Sequence, residues 1–442
     1  AAAQARADTG GDTEIHGGAG MNTTANGYGV GRREFLRLAH AGMAALPLAA
    51  SVAGGQEPGG AVLSPSTPRA YGKKIKLGLI GCGGRGTWIS SLFTAHGGFT
   101  FGAVADYFPE RAARAGAQLG VPEAACFSGL DGYQRLVASG VEAVVLQTPP
   151  YFFPRHAAAA LDAGLHIYMA KPVAIDVPGT LAIKSLAARA TREKRVFQAD
   201  YQLPRDPVNV EVAKRIRTGA LGKLQTIFSS GWAGGNGYQD PPLETTAENR
   251  LKDLVWCNDV ALGGDYMVHY DVHILDAVVW ALGKTPVAAL GASAAFRPSV
   301  HGDARDSSLV VYLFDDGTMW CHQGILGAYH DWIKTGRLTA SLQGTQGTAC
   351  LSYAGKSYVR GGPRHFSGGV PNPEASVRTN IDEFRQAIDA GDCANEQVVR
   401  AVESNFTAIL GREAAARRER VTLDALLAEN RALLPDLAGL RR

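Results

Sequence analysis

A glycine-rich loop between a buried strand and a helix constrains this chain more than any other feature. Residues 73–81 read KKIKLGLIG, a short apolar run that ends in glycine and is typical of a strand buried in a parallel sheet. GCGGRG follows at once, and WISSLFTAH continues as a helix. In such a unit the glycines permit a tight turn, close backbone approach to a pyrophosphate and close helix–strand packing. The pattern predicts a dinucleotide-binding loop, whose contacts are Gly81, Gly83, Gly84, Arg85 and Gly86.

The second strand of this unit, FTFGAVAD, ends at Asp106. A carboxylate at this place accepts hydrogen bonds from ribose hydroxyls and repels a 2′-phosphate, so NAD is expected rather than NADP. Arg111, about one helical turn later, leaves NADP open as the less favoured cofactor. A helix N-cap ahead of Pro109 is the structural alternative for Asp106, and both roles can coexist.

Strands and helices go on alternating after this unit. EAVVLQTPP is predicted as a strand, a helix follows to about Leu161, and LHIYM is the next strand. This rhythm favours an α/β fold with a doubly wound parallel sheet, a Rossmann domain over residues 73–200. Ligands bind beyond the carboxyl ends of such strands. Further cofactor contacts are therefore predicted at Thr148, Pro149, His156 and Lys171.

The pattern changes after residue 200. Residues 207–220 look helical, and several strand-like runs follow, among them SSLVVYLFDD and TMWCHQGIL with Asp316-Gly317 at a hairpin turn between them. Residues 201–442 are therefore predicted to form a C-terminal α+β domain with a mostly antiparallel sheet.

The N-terminal 72 residues indicate export. Residues 1–30 are rich in Gly, Ala, Thr and Asn and are predicted to be a disordered extension. Residues 31–53 carry Arg32-Arg33 before a mildly apolar run, which is typical of a twin-arginine signal peptide. The run falls short of the roughly 20 residues that a membrane span needs. Residues 54–72 are predicted to be a linker, so a periplasmic or extracellular protein without a stable membrane span is expected.

Composition narrows the function classes. The formal charge is only +3 and the charged fraction 19%, with no basic stripe that would favour nucleic acid. The six cysteines are scattered without CxxC or another metal-like spacing. Buried small residues are the default interpretation of these cysteines, and disulfides stay open if the protein is exported.

Four segments in order carry a family resemblance: GLIGCGGRG, AVAD, TPPYFFPRHAAAALDAGLHIYMAKPVA and GGDYMVHYDVHILDAVVWALG. With these the chain resembles the glucose-fructose oxidoreductase, inositol dehydrogenase and rhizopine-catabolism (Gfo/Idh/MocA) family from about residue 73 to 290, and more loosely to about 420. The resemblance implies an NAD-binding Rossmann domain, a substrate-binding second domain and hydride transfer on sugars or cyclitols. It also implies pairing of the antiparallel sheets in a homo-oligomer.

The first catalytic candidate is Lys171. The family pattern is Glu-Lys-Pro, and this chain has Ala170-Lys171-Pro172, so the lysine and proline match while the glutamate is lost. The resemblance places the lysine beside the nicotinamide and the sugar hydroxyl. Desolvation without an acidic partner would lower the pKa of Lys171, which suits a proton-exchanging group.

The second candidate set lies on a helix predicted from about Tyr266 to Leu282. His269 and His273 are four residues apart and share a face. By resemblance His273 is the catalytic histidine, and His269 replaces a family aspartate. A metal site with Asp265 remains a less favoured alternative, and no metal is expected.

Substrate contacts are predicted where the chain leaves the parallel sheet, at Tyr201, Gln202 and Arg205. Trp232 is a candidate for stacking on a sugar ring. Asp276 matches a family aspartate three residues after the histidine, where it would orient His273 or serve packing only.

Three functions follow. The first is an exported oxidoreductase of sugars or cyclitols with tightly bound NAD(H), in which a base takes the hydroxyl proton as the hydride leaves carbon. The second is an NAD-dependent glycosidase that oxidises C3 transiently, eliminates the glycosidic substituent and adds water. The third is a sugar sensor without turnover. Export favours the first two functions, provided that the bound NADH is reoxidised within the same reaction cycle. NADH released outside the cytoplasm would not be readily reoxidised.

Overall fold

The computed structural model describes residues 71–233, 240–326, 338–362 and 364–442. The predicted extension 1–30, signal peptide 31–53 and linker up to residue 70 lie outside these ranges and remain predictions. In the described part, no helix combines the length and the apolar character that a bilayer crossing requires.

A six-stranded parallel sheet forms the first half of the described chain, as the alternating pattern predicts. Its order is β3-β2-β1-β4-β5-β6, so the strand order reverses between β1 and β4. Ligands of doubly wound sheets bind at this reversal. The strands are β1 Ile75–Ile80, β2 Phe99–Asp106, β3 Cys126–Ser128, β4 Ala143–Leu146, β5 His166–Ala170 and β6 Phe197–Asp200.

The helices between these strands begin and end at residues suited to those positions. Asp176 caps the fifth helix by accepting a hydrogen bond from the backbone N–H of Gly179, and Gly97 ends the first helix at φ 79°. The helices are α1 Gly84–His96, α2 Pro109–Leu119, α3 Gly132–Val137, α4 Phe153–Asp162 and α5 Val177–Arg192. Short 3₁₀ turns lie at Glu123–Ala125 and Pro150–Phe152.

A nine-stranded sheet forms the second half, in the order β14-β13-β12-β11-β7-β10-β9-β8-β15. Every neighbouring pair is antiparallel except β7 and β10, which confirms the expected mostly antiparallel sheet. The expected hairpin joins β9 and β10. The strands are β7 Leu224–Ala233, β8 Ala288–Ala294, β9 Ser307–Leu313, β10 Met319–Leu326, β11 Leu338–Gly344, β12 Thr348–Ser352, β13 Ser357–Arg360, β14 Phe366–Gly369 and β15 Val421–Thr422.

The helix expected from Tyr266 to Leu282 is present with one irregularity. A π-turn at Met267–Asp271 precedes the regular helix α9, Val272–Leu282, and Gly283 ends it at φ 67°. The other helices of this half are α6 Pro207–Arg217, α7 Ala247–Arg250, α8 Val260–Gly263, α10 Pro373–Ala390, α11 Glu396–Arg417 and α12 Leu423–Glu429, with 3₁₀ turns at Leu203–Arg205 and Val255–Asn258.

Two late helices pack on the parallel sheet. Phe384 of α10 lies 5.5 Å from the ring of Tyr168 and 6.4 Å from that of Phe93, within the cluster that buries one face of that sheet. Helix α11 lies between α5 and α9, in a core that both sheets share. The segment predicted as the second domain therefore also covers the first sheet and holds the two sheets together.

Candidate active site

The glycine loop has the geometry expected of it. Gly81 has φ +98°, and a Cβ there would lie 2.6 Å from the carbonyl carbon of Gln147. A Cβ on Gly86 would lie 1.9 Å from the carbonyl oxygen of Gly81, so helix and strand approach as only glycine allows. Gly83 and Gly84 have no atom within 4 Å of such a Cβ. The loop is thus packed on its inner side and open on its outer side.

A cavity of about 680 Å³, measured out to its open mouth, lies against this loop at the carboxyl ends of the strands. Its walls include six of the predicted cofactor residues: Gly81, Gly83, Asp106, Thr148, Pro149 and His156. Leu251, Asp253 and Trp256 close the opposite side and come from beyond the parallel sheet. Its size and its mixed apolar and polar lining suit a nucleotide.

Asp106 is held by backbone donors at the end of β2. Its Oδ2 accepts from the N–H of Cys82 at 2.7 Å, and its Oδ1 accepts from the N–H of Phe108 at 3.0 Å. Burial raises the pKa of Asp106, and these two hydrogen bonds counteract the rise. Helix α2 has Phe108 at its N-cap and no side-chain cap, so the N-cap alternative for Asp106 is not observed.

His156 is a buried part of the cavity wall. Its Nδ1 lies 3.3 Å from Oγ1 of Thr148, and its ring lies 4.5 Å from that of Tyr133. Burial lowers the pKa of His156 to about 3, so the imidazole is neutral. It orients Thr148 at the wall.

Lys171 ends β5 and reaches toward the second half of the chain. Its peptide bond to Pro172 is cis, and its Nζ donates to the carbonyl oxygen of His269 in the π-turn. Burial, followed by the charge of Arg85, lowers the pKa of Lys171 to about 7. The shift has the direction expected of a desolvated lysine without an acidic partner.

Both predicted histidines are neutral and lie beside Lys171. Nδ1 of His269 lies 2.9 Å from the carbonyl oxygen of Asp265, so this nitrogen donates and Nε2 carries the lone pair. Burial and the charge of Lys171 lower the pKa of His269 to about 3 and hold that of His273 well below its usual value. Trp256, which lines the nucleotide cavity, lies 5.7 Å from the ring of His269. Trp256 thus connects His269 with the cavity, although neither histidine is part of its wall.

The alternative of a metal site with Asp265 gains no support. Oδ1 of Asp265 accepts from the N–H groups of Tyr266 and Arg305, at 2.7 and 3.0 Å. Among the residues in the described ranges, no group of three His, Cys, Asp or Glu side chains could hold a metal ion.

Arg85 leaves the glycine loop and pairs with a residue that the sequence did not single out. Its guanidinium contacts the buried carboxylate of Asp200, at the end of β6. Asn380 of α10 donates to the other oxygen of Asp200 at 2.9 Å. Asp200 could have been singled out from the sequence, because it ends a strand of the parallel sheet, where ligands bind. Nothing in the sequence indicates its partner Asn380, which lies 180 residues away.

The predicted substrate residues have mixed surroundings. Gln202 is buried, and its Oε1 accepts from the hydroxyl of Tyr353, whose ring lies 5.1 Å from His273. Tyr201 is buried beneath the guanidinium of Arg400, 5.9 Å from the ring centre. The ring of Trp232 is half-buried at the end of β7, and its backbone carbonyl accepts from Tyr270.

Two of the predicted substrate residues bind other side chains instead. Asp276 is fully buried, accepts from Ser404 at 2.8 Å and pairs with Arg400 at 3.3 Å. Arg205 pairs with Glu383 at 2.5 Å. These contacts tie α9 to α11, and the 3₁₀ turn to α10. They indicate packing roles, because both charges are already paired within the protein.

A buried polar network behind the π-turn was also missed. Asp271 lies 3.0 Å from Nε2 of His322, whose Nδ1 lies 2.8 Å from Oγ of Ser229, and Trp320 donates to the same Oγ at 2.7 Å. Burial raises the pKa of Asp271 to about 6. Its carboxylate occupies the space left by a glycine, because a Cβ on Gly231 would lie 1.7 Å from Oδ1.

The comparisons with known proteins agree with this geometry. Residues 75–201 match the GFO_IDH_MocA model, described as an oxidoreductase family with an NAD-binding Rossmann fold. This segment is therefore similar to the NAD-binding domains of the Gfo/Idh/MocA oxidoreductases. The expectation of an NAD-binding Rossmann domain is thereby confirmed.

Curated relatives are inositol dehydrogenases. The chain is 28% identical over 152 residues to inositol 2-dehydrogenase 4 of Saccharopolyspora erythraea, covering 34% of this chain and 43% of that protein. It is 23% identical over 248 residues to inositol 2-dehydrogenase of Corynebacterium glutamicum strain R, covering 56% of this chain and 66% of that protein. The matches thus span less than two thirds of these relatives.

Solved structures share the fold over a longer range. Aldose-aldose oxidoreductase from Caulobacter crescentus has a TM-score of 0.62 at 19% identity, covering 79% of this chain and 100% of that one. Levoglucosan dehydrogenase, in complex with NADH and levoglucosan, has a TM-score of 0.63 at 20% identity with the same coverage. These likenesses confirm the two-part α/β fold.

Proposed function

We propose that this protein is an NAD-dependent oxidoreductase that removes hydride from the carbon of a secondary hydroxyl group in a sugar or cyclitol. The observation that carries the proposal is the position of Lys171 at the carboxyl end of β5, where its Nζ donates to the carbonyl oxygen of His269 and its charge acts on His273. The names of the inositol dehydrogenases and of levoglucosan dehydrogenase support a polyhydroxylated ring as substrate.

The pKa values of Lys171 and His273 indicate different roles for these two residues. Lys171, with a pKa of about 7, exchanges protons near neutral pH, where general acid–base catalysis is most effective. His273 has its pKa lowered by burial and by the nearby Lys171, so it is a weak base and a good hydrogen-bond acceptor. We therefore infer that Lys171 takes the hydroxyl proton and His273 orients the hydroxyl group. This differs from the role of base that the sequence favours for His273.

Residues of this chain fit the cofactor that the family implies. The open side of the glycine loop suits the pyrophosphate, and the anchored carboxylate of Asp106 suits the ribose hydroxyls. When NAD is bound, its nicotinamide supplies the hydride acceptor. Trp256 lines the cavity and lies 5.7 Å from the ring of His269, so it connects the cavity with the histidine pair.

The test begins with the purified full chain. Released nucleotide is identified after denaturation, and nicotinamide absorbance is then followed with free cyclitols and aldoses. NAD in the protein and a change with one of these substrates are expected. The rising limb of kcat/KM against pH should lie near 7 and persist in His273→Asn. Loss of that rising limb in His273→Asn would show that His273, and not Lys171, is the base. Retained NAD without turnover on any sugar would favour a sugar sensor.

An NAD-dependent glycosidase is the second candidate. After oxidation at C3, this reaction needs a base that takes the acidified C2 proton before the glycosidic substituent leaves and water adds. The observation that favours it is the pKa of Lys171 of about 7, at which one amine can take and return protons in successive steps. Release of the aglycone from aryl glycosides without net NADH would support it.

We further propose export by the twin-arginine route and lasting retention of the nucleotide. The support is Arg32-Arg33 before an apolar run. A homo-oligomer is proposed on the exposed apolar side chains of the outer face of the nine-stranded sheet, among them Phe228, Leu309 and Met319. Cell fractionation with Arg32-Arg33→Lys-Lys as control tests export, and light scattering of wild type and Phe228→Ser tests assembly.

A further inference from the structure

In the sequence, Arg111 is the residue that keeps NADP as a possible cofactor. In the structure its guanidinium is paired with a carboxylate of the protein. We propose that Asp253, contributed from outside the parallel sheet, is a specificity-determining residue that holds Arg111 and so excludes nucleotides with a 2′-phosphate. This inference rests on the proposed NAD dependence and names the group that sets the choice of dinucleotide.

Arg111 and Asp253 form an ion pair at the cavity. Nη2 of Arg111 lies 2.8 Å from Oδ1 of Asp253, and the guanidinium lies 4.6 Å above the ring of Phe108. Both residues line the cavity with Asp106, whose carboxylate the sequence predicts to bind ribose hydroxyls. Only 15% of the Arg111 side chain is exposed. Among the described residues that line the cavity, Arg111 is the only arginine, and it is paired with a carboxylate of the protein.

The local charge balance opposes an added phosphate. Arg111 is paired with Asp253, and the charges of Arg111 and Glu110 both act on the pKa of Asp106, so carboxylates outnumber the arginine at this wall. A 2′-phosphate adds about −1.5 to −2 charge and needs donors to replace its water. Rejection through unpaired charge is an effective way to separate two similar ligands.

The second half of the chain holds Asp253 in place. Its backbone has φ 44°, a left-handed conformation that asparagine also tolerates. Leu251, two residues earlier, packs with Phe108 in the cluster that Leu437 and Leu440 complete from the C-terminal segment. Arg250 pairs with Asp259 at 2.7 Å. The carboxylate is therefore presented from an anchored turn, which reduces the side-chain entropy lost in pairing.

The C-terminal segment also contacts the opposite wall. The carbonyl oxygen of Arg441 accepts from the N–H of Leu130 at 2.9 Å, and its guanidinium lies 5.3 Å from the ring of Tyr107. Tyr107 and Leu130 both line the cavity. One segment therefore supports both sides of the adenosine end and fixes the distance across which Asp253 meets Arg111.

The test uses ADP-ribose and its 2′-phosphate, which probe the adenosine end without the nicotinamide. Both are titrated calorimetrically into the full chain after charcoal has removed retained nucleotide. Asp253→Asn should raise the affinity for the 2′-phosphate about tenfold, as expected for one charge-assisted interaction, and change that for ADP-ribose by less than about twofold. Arg111→Gln in the same background should abolish the gain.

A matched control is Asp162→Asn, because Asp162 is an exposed carboxylate paired with Arg189 at 2.6 Å and does not line the cavity. It should leave both affinities unchanged. If Asp253→Asn does not alter the ratio while ADP-ribose still binds, the role of Asp253 is refuted and the NAD assignment stands. If the wild-type chain binds neither fragment, the proposed function fails and this inference fails with it.

Discussion

Replacing Lys171 with methionine should stabilise the protein while it abolishes catalysis. Burial, followed by the charge of Arg85, lowers the pKa of Lys171 from 10.5 to about 7. At about 1.36 kcal/mol per pKa unit, the fall corresponds to roughly 5 kcal/mol of destabilisation when the ammonium form is buried. The side chain is partly exposed, so solvent screening reduces this ceiling to the order of 2–3 kcal/mol.

The sign of the pH dependence follows from linkage. Below the folded-state pKa of about 7 the amine is charged in both states, and the full destabilisation is present. Between about 7 and 10.5 the unfolded chain binds a proton that the folded protein has released, so stability rises with pH. Above 10.5 both forms are neutral and the difference vanishes.

The assay is thermal unfolding of nucleotide-free wild type, Lys171→Met and Lys184→Met at about pH 7 and about pH 10. Lys184 is an exposed lysine on α5 and serves as the control. Lys171→Met should have a higher Tm than wild type near pH 7, an advantage that shrinks near pH 10, and kcat/KM should fall by about 10²–10⁴. Equal stabilities at both pH values, or a shift that Lys184→Met reproduces, would refute the reasoning.

Three other substitutions test particular contacts. Asp276→Ala should lower the free energy of unfolding by about 3–5 kcal/mol, because it leaves the charge of Arg400 buried without its partner, and denaturant titration measures this loss. Unchanged stability together with a raised KM would restore Asp276 as a substrate contact. Gly86→Ala should weaken NAD binding at least tenfold, because its Cβ would lie 1.9 Å from the oxygen of Gly81; calorimetry showing wild-type affinity would contradict this. Ending the chain after Asn430 should speed NAD release, measured by nucleotide exchange, whereas an unchanged rate would exclude a clamp at the adenosine end.

Much of the fold follows from local pattern. Short apolar runs followed by helical segments identify the parallel sheet, because most of its strands are buried on both faces. The hairpin at Asp316-Gly317 and the end of α9 at Gly283 follow from the backbone preferences of those residues. The packing of α10 and α11 on the first sheet was not predictable, because an amphipathic helix does not reveal which surface covers its apolar side.

The candidate site likewise combines residues that the sequence indicated with contacts that only the structure shows. Strand ends and four-residue helical spacing are local properties that drew attention to Lys171 and the two histidines, and the family resemblance implied their catalytic roles. The partners of Asp276 and Arg205 lie more than 100 residues further along the chain, so sequence favoured substrate contact where the structure has ion pairs. The π-turn that brings the carbonyl of His269 to Lys171 leaves no mark in a pattern of apolar residues.

The sequence by itself determined the nucleotide loop, the carboxylate at the end of β2 and the positions of the titratable groups, since each depends on a few consecutive residues. Tertiary structure alone decided the protonation states, because burial lowers the pKa of Lys171 to about 7 and keeps His273 neutral. The tertiary structure also determined that Arg111 is paired, because its partner Asp253 lies 142 residues away in the sequence. Desolvation and long-range pairing exist only once distant segments are packed together.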